Sequence, residues 1–125
     1  HQLIMQYLSH ALYKNDINFR LASVLRSRLR VSFKKYLKNG IEKKVSAVKD
    51  LGCSLGELKV YLESRFQPGM TWDNWKIDGW HIDHILPFGV LDLVKRENVL
   101  KLCHFTNLQP MWAIPNLKKQ DKFPK

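Results

Sequence analysis

The chain is poor in cysteine, in acidic residues and in long apolar runs, and each shortage removes a class of protein. Its 125 residues include two cysteines, Cys53 and Cys103, fifty positions apart and outside any C-x-x-C pair. A zinc knuckle needs four closely spaced ligands, so no structural zinc is expected in this segment. One disulfide between the two cysteines stays open as an alternative; the favoured reading is two small buried thiols in a reducing compartment. No apolar run approaches the roughly 20 residues that a membrane helix needs, so no membrane span is expected. The chain opens His1-Gln2-Leu3-Ile4-Met5, with no Met at position 1 and no signal-peptide pattern, so a trimmed chain or the C-terminal piece of a longer protein is expected.

The acidic shortage is the most informative. Eleven Asp and Glu stand against 21 Lys and Arg, a net charge of +10. Such a field favours a polyanion or an anionic membrane surface as partner. Residues 1–50 hold 11 basic and 3 acidic residues, net +8, whereas residues 51–125 hold 10 and 8, net +2. The composition therefore divides one compact domain into a basic helical region, 1–50, and a nearly neutral folded site, 51–125.

Within the basic region Leu21, Leu25, Leu29 and Phe33 recur every four residues, which predicts a long helix from Asn18 to Leu37 with one apolar stripe. Arg20, Arg26, Arg28, Arg30, Lys34, Lys35 and Lys38 fill much of the remaining surface, and Asn39-Gly40 stops the helix. Residues 3–13 fit an earlier helix. Ser54 and Glu57 form an S-x-x-E capping box that opens a further helix carrying Leu55, Leu58, Leu62 and Phe66 on one face, ended by Pro68-Gly69. Trp72, Trp75 and Trp80 follow in an irregular stretch, and packing under a loop is favoured for them over base stacking. The tail reads as a strand (80–85), a turn through Pro87, a helical segment (92–102), a second strand (107–112) and a polar helix (113–123). The fold class expected is α+β, mainly helical.

Chemistry concentrates in that tail. His81, Asp83, His84, Asn107 and Asn116 fall within 36 residues. Asp83 offers carboxylate oxygens and Asn116 an amide oxygen, which suit Mg²⁺ or Mn²⁺. His84, with an ordinary pKa of about 6.5, is a free base at neutral pH and able to deprotonate water. A metal ion and a base are the minimum for hydrolysing a phosphodiester. In a regular strand Asp83 and His84 point to opposite faces, so sharing one site is expected to require a break in the pleat at that dipeptide, which Pro87 makes reasonable. Strict alternation would put His81 beside Asp83 as a possible accessory ligand. Gln109, Lys118 and Lys119 read as solvent or phosphate contacts, and His104 as packing or surface.

The ordered set W-H-I-D-H-I-L-P (80–87), N-L-Q-P-M-W (107–112) and N-L-K-K-Q-D-K (116–122) resembles the HNH endonuclease family, especially its small phage and homing-type members. L-G-C-S-L-G-E-L (51–58) and P-G-M-T-W-D-N-W (68–75) resemble the segment before the motif, so the likeness runs from about Leu51 to Lys122, and more loosely over L-R-S-R-L-R (25–30). The resemblance implies a ββα-metal module fronted by basic N-terminal helices. By it, Asp83 is the acidic metal ligand and His84 the general base. Asn107 is the middle Asn that ties the loop to the second strand. Asn116 is the second metal ligand, standing where a His often stands, which makes this an H-N-N variant. The implied activity is Mg²⁺- or Mn²⁺-dependent DNA cleavage to 5′-phosphate and 3′-hydroxyl ends, with no small-molecule cofactor, in the cytoplasm of a bacterial host if phage-encoded. Arg26, Arg28, Arg30, Lys34, Lys118 and Lys119 are the expected DNA contacts. The rivals are a DNA-binding module without catalysis, a secreted toxin nuclease and a basic structural protein.

Overall fold

The computed structural model describes residues 16–36 and 46–113. The helices expected over 3–13 and, past Ala113, up to Phe123 lie outside these residues, as do Lys38 and the Asn39-Gly40 stop. The described residues form an α+β fold of three helices and one two-stranded antiparallel sheet. In chain order the helices are α1 (Ile17–Tyr36), α2 (Leu55–Ser64) and α3 (Arg96–Cys103), and the strands are β1 (Trp80–His84) and β2 (Leu108–Trp112).

Helix α1 starts a residue earlier than expected because Asp16 caps it: the Asp16 carboxylate accepts the Phe19 N–H at 3.1 Å. Its stripe is as the spacing dictates, with Leu21, Leu25, Leu29 and Phe33 all buried. Lys34 and Lys35 sit in the last turn, against the negative end of the helix dipole. Helix α2 opens on the expected capping box, with Glu57 N–H to Ser54 Oγ at 3.0 Å and Ser54 N–H to Glu57 Oε1 at 2.9 Å. It ends at Ser64, before Phe66, because the Arg65 and Phe66 amides turn to carbonyls three residues back. Phe66 still reaches the core, where its ring meets Trp72 and Trp80 edge-on at 5.2 and 5.1 Å. Helix α3 begins at Arg96 rather than Asp92. The Asp92 side chain instead accepts the Val94 N–H at 3.0 Å, a local turn that competes with the first helical hydrogen bonds.

The three tryptophans are core. Trp75 and Trp80 are buried and stack at 5.6 Å with an 18° interplanar angle. The indole N–H of Trp80 donates to the Thr71 carbonyl at 2.6 Å, and that of Trp72 to Glu63 at 2.8 Å. A Cβ at Gly79 would lie 1.8 Å from the Asn74 carbonyl oxygen, so the chain can fold back at the start of β1 only on glycine. One apolar cluster joins Leu21 to Phe33 of α1, Leu58 and Leu62 of α2, Trp80 and Ile82 of β1, Leu102 of α3 and Leu108 of β2. Cys103 is buried and Cys53 half-buried, both as free thiols, and burial pushes the Cys103 thiol up to about 12.

The register Trp80↔Trp112, Ile82↔Pro110, Asp83↔Gln109, His84↔Leu108 fixes the faces of the sheet. The ladder closes at both ends, Ile85 N–H to the Asn107 carbonyl at 2.8 Å and Ala113 N–H to the Gly79 carbonyl at 2.9 Å. Antiparallel pairs alternate, so Pro110 opposite Ile82 takes a position where the ladder needs no donor. Trp80, Ile82, Leu108 and Pro110 are buried, and His81, Asp83, Gln109 and Met111 share the other face, only partly covered. Among the described residues no helix is long and apolar enough to cross a membrane.

Candidate active site

Asp83 and His84 end β1 at the mouth of a cleft of about 410 Å³. One wall is the turn after β1, with Pro87 and Phe88; the other is α1, with Ser27, Arg28, Val31 and Ser32. The strand keeps its register through His84, so the pleat does not break at the dipeptide, contrary to the expectation from alternation. Both side chains nevertheless line the cleft, because it lies at the strand's end, where either face can be reached. A Cβ at Gly89 would fall 2.9 Å from the Tyr36 hydroxyl, which shows how closely the last turn of α1 seats on the wall carrying Phe88.

The Asp83 carboxylate accepts a hydrogen bond from Gln109 Nε2 at 2.9 Å, straight across the sheet. The His84 ring packs on Phe88 with centroids 4.9 Å apart, and neither ring nitrogen has a hydrogen-bond partner among the described residues. Burial, then the positive charge of Arg28, lowers the His84 pKa from its ordinary 6.5 to about 4, with Asp83 opposing them in part. The imidazole is thus neutral across the physiological range.

That depression has a consequence for stability. Between about 4 and 6.5 the unfolded chain binds a proton at His84 that the folded chain refuses. The contribution is therefore complete above pH 6.5 and is lost as pH falls toward 4. In EDTA, lowering pH from about 7 to about 4.5 should cost the parent roughly 2 kcal/mol more unfolding free energy than it costs His84→Gln. Urea unfolding of both proteins at the two pH values checks this; parallel losses would mean that His84 is not held neutral by the fold. Asp50, whose carboxyl the Arg96 guanidinium holds below its usual range, loses its contribution in a more acidic window and in both proteins alike.

Asn107 ties the loop after β1 to the segments that follow it. Its side chain accepts the Leu86 N–H at 2.8 Å and donates to the carbonyls of Leu86 (3.1 Å) and Leu102 (3.0 Å). It thereby pins the chain just past His84 to the end of α3 and the start of β2. His81 shares a face with Asp83, but its Nε2 lies 3.0 Å from the Ile77 carbonyl and it does not line the cleft. His104 packs over Gly52, and its Nδ1 lies 2.8 Å from Thr106 Oγ1.

Arg26, Arg28, Arg30 and Lys34 are all exposed, yet Arg28 alone of the four lines the cleft. By helical periodicity the row Arg26, Arg30, Lys34 sits about 120–160° round the helix from it. Arg20 lies elsewhere again, its guanidinium 4.0 Å above the Trp75 ring and donating to the Trp75 carbonyl. Asn116, Lys118 and Lys119 lie outside the described residues. Among the described residues no three His, Cys, Asp or Glu side chains converge on one point. Asp83, half-buried with one oxygen engaged by an amide, suits an ion that keeps most of its waters.

Two contributions to the site were missed in the sequence: the hold of Gln109 on Asp83 and the entry of Arg28 into the cleft. The first had a signal. Buried positions alternate as Trp80, Ile82 and Leu108, Pro110, which leaves 83 and 109 on the same open face once the strands pair.

No protein-family model matches the chain, and no solved structure matches it. It is similar to two uncharacterized proteins of Acanthamoeba polyphaga mimivirus, 34% identical to one over 110 residues and 35% identical to the other over 111. The matches take in 88% and 87% of this chain but 46% and 45% of the relatives, so the chain spans a little under half of their length.

Proposed function

We propose that this chain is a metal-dependent DNA endonuclease unit of the HNH type, a ββα-metal module fronted by a basic helix and phage- or homing-type in character. The observation that carries the reading is the cleft where Asp83, His84 and Arg28 meet, with a base kept neutral by burial. The D-H, N and N residues at the spacing of that family support it from the sequence. Asp83, with Asn116 as second oxygen donor, holds Mg²⁺ or Mn²⁺. The bound ion supplies positive charge against the scissile phosphate and the leaving 3′-oxygen. His84 takes the proton from the attacking water, and Arg28 meets the phosphate's negative charge from the opposite wall. Asn107 fixes the backbone that carries the base. The products carry 5′-phosphate and 3′-hydroxyl ends, and the setting is the cytoplasm of the host cell.

The test is supercoiled plasmid with the purified chain and Mg²⁺. Nicked or linear DNA is expected, with 5′-phosphate ends on end-mapping. EDTA should abolish the reaction, and added Mg²⁺ or Mn²⁺ should restore it. DNA that is bound but stays supercoiled with either ion would replace this reading with a DNA-binding module that lacks catalysis.

A further inference from the structure

We infer that Gln109 selects the cation at Asp83, by keeping one carboxylate oxygen out of coordination and so favouring Mg²⁺ or Mn²⁺ over Ca²⁺. The inference rests on the reading of Asp83 as a metal ligand. An ionised carboxylate only accepts hydrogen bonds, so the Gln109 amide must present its NH₂ group, and Nε2 stands 2.9 Å from Oδ2. The two residues are direct cross-strand partners. The ladder is closed on both sides of them, by Ile85–Asn107 and Gly79–Ala113, which leaves the Gln109 backbone little room to shift. Among the described residues no donor reaches the other oxygen, Oδ1. Asp83 therefore offers one oxygen free of donors and a second already engaged by a hydrogen bond.

The two classes of ion respond differently to such a ligand. Mg²⁺ binds through one or two carboxylates at about 2.0–2.1 Å, completes an octahedron with water and needs one oxygen from each. Ca²⁺ takes about 6–8 oxygens at roughly 2.3–2.6 Å and gains from carboxylates that bind through both oxygens. Engaging Oδ2 weakens a second ligand that Ca²⁺ would use and costs Mg²⁺ nothing. Gln109 is then a positioning residue, acting on the ion through Asp83.

Calorimetric titration of MnCl₂ and, separately, CaCl₂ into the metal-free chain reads the effect directly, without reference to cleavage. Gln109→Met keeps the length and removes the donor; it should lower the preference for Mn²⁺ over Ca²⁺ by about tenfold, the low end of what outer partners of metal ligands contribute. Gln109→Asn, whose amide is one methylene too short to reach, should do the same while remaining polar, which separates the effect from altered packing by Met. An unchanged Mn²⁺/Ca²⁺ ratio in both variants, with binding intact, would overturn the selectivity role and leave Asp83 as ligand. Asp83→Ala titrated alongside should bind neither ion; affinities equal to the parent's would overturn the ligand reading, and the selectivity role with it.

Discussion

His84→Ala should cleave plasmid about 10²–10⁴ times more slowly than the parent in the same metal buffer, while binding DNA as well. The two effects separate because His84 holds no other part of the molecule. Its ring has no hydrogen-bond partner among the described residues and touches Phe88 at the cleft wall, whereas its strand neighbours Ile82 and Leu108 are fully buried core residues. On the proposed reading, phosphate contacts come from α1 and not from the ring. The loss should therefore fall on kcat and leave the DNA dissociation constant within a small factor. Cutting at the parental rate would remove His84 from the chemistry and leave the cleft without a base.

The fourfold variant of Arg26, Arg28, Arg30 and Lys34 to alanine should lose about four units of slope in log affinity against log salt, close to one per phosphate released, whatever the DNA sequence. The geometry sharpens this into single substitutions. Arg28 lines the cleft, so Arg28→Ala should lower kcat as well as affinity. Arg26, Arg30 and Lys34 face solvent on the other flank, and their single alanine variants should raise KM and leave kcat unchanged. A slope that falls by about one in the fourfold variant would leave Arg28 as the sole contact and make the outer row a solvated basic face. The buried stripe Leu21, Leu25, Leu29, Phe33 is untouched in all of these, so folding should survive them.

What could be read from the sequence has a common cause: it depends on residues a few positions apart. The Ser54–Glu57 box, the four-residue stripe of α1, the alternation of Trp80 and Ile82 and the Asp83-His84 dipeptide each declare themselves locally, since a cap, a helix face and a strand face are set by spacing. Boundaries were less legible. Asp92 and Phe66 both fit a helical period, and both lie outside their helices because a side-chain turn in one case and a tightened last turn in the other satisfied the backbone first.

What the tertiary structure decided lies between segments far apart in the chain. The Asp50–Arg96 ion pair, two bonds of 2.7 and 2.8 Å across 46 residues, ties the turn before α2 to the start of α3 and leaves no pattern in either segment. Composition set the basic helix apart from the site, yet packing its stripe against α2 and the turn at Phe88–Val90 puts Arg28 in the cleft wall and leaves its neighbours outside. The same packing half-buries His84 beside Arg28 and so lowers its pKa to about 4. The fixed register brings Gln109 to Asp83. The candidate base and the candidate carboxylate were legible as residues 84 and 83. The protonation of His84 and the accessible oxygens of Asp83 were not, because desolvation and cross-strand partners are properties of what folds against a residue, and no local spacing encodes them.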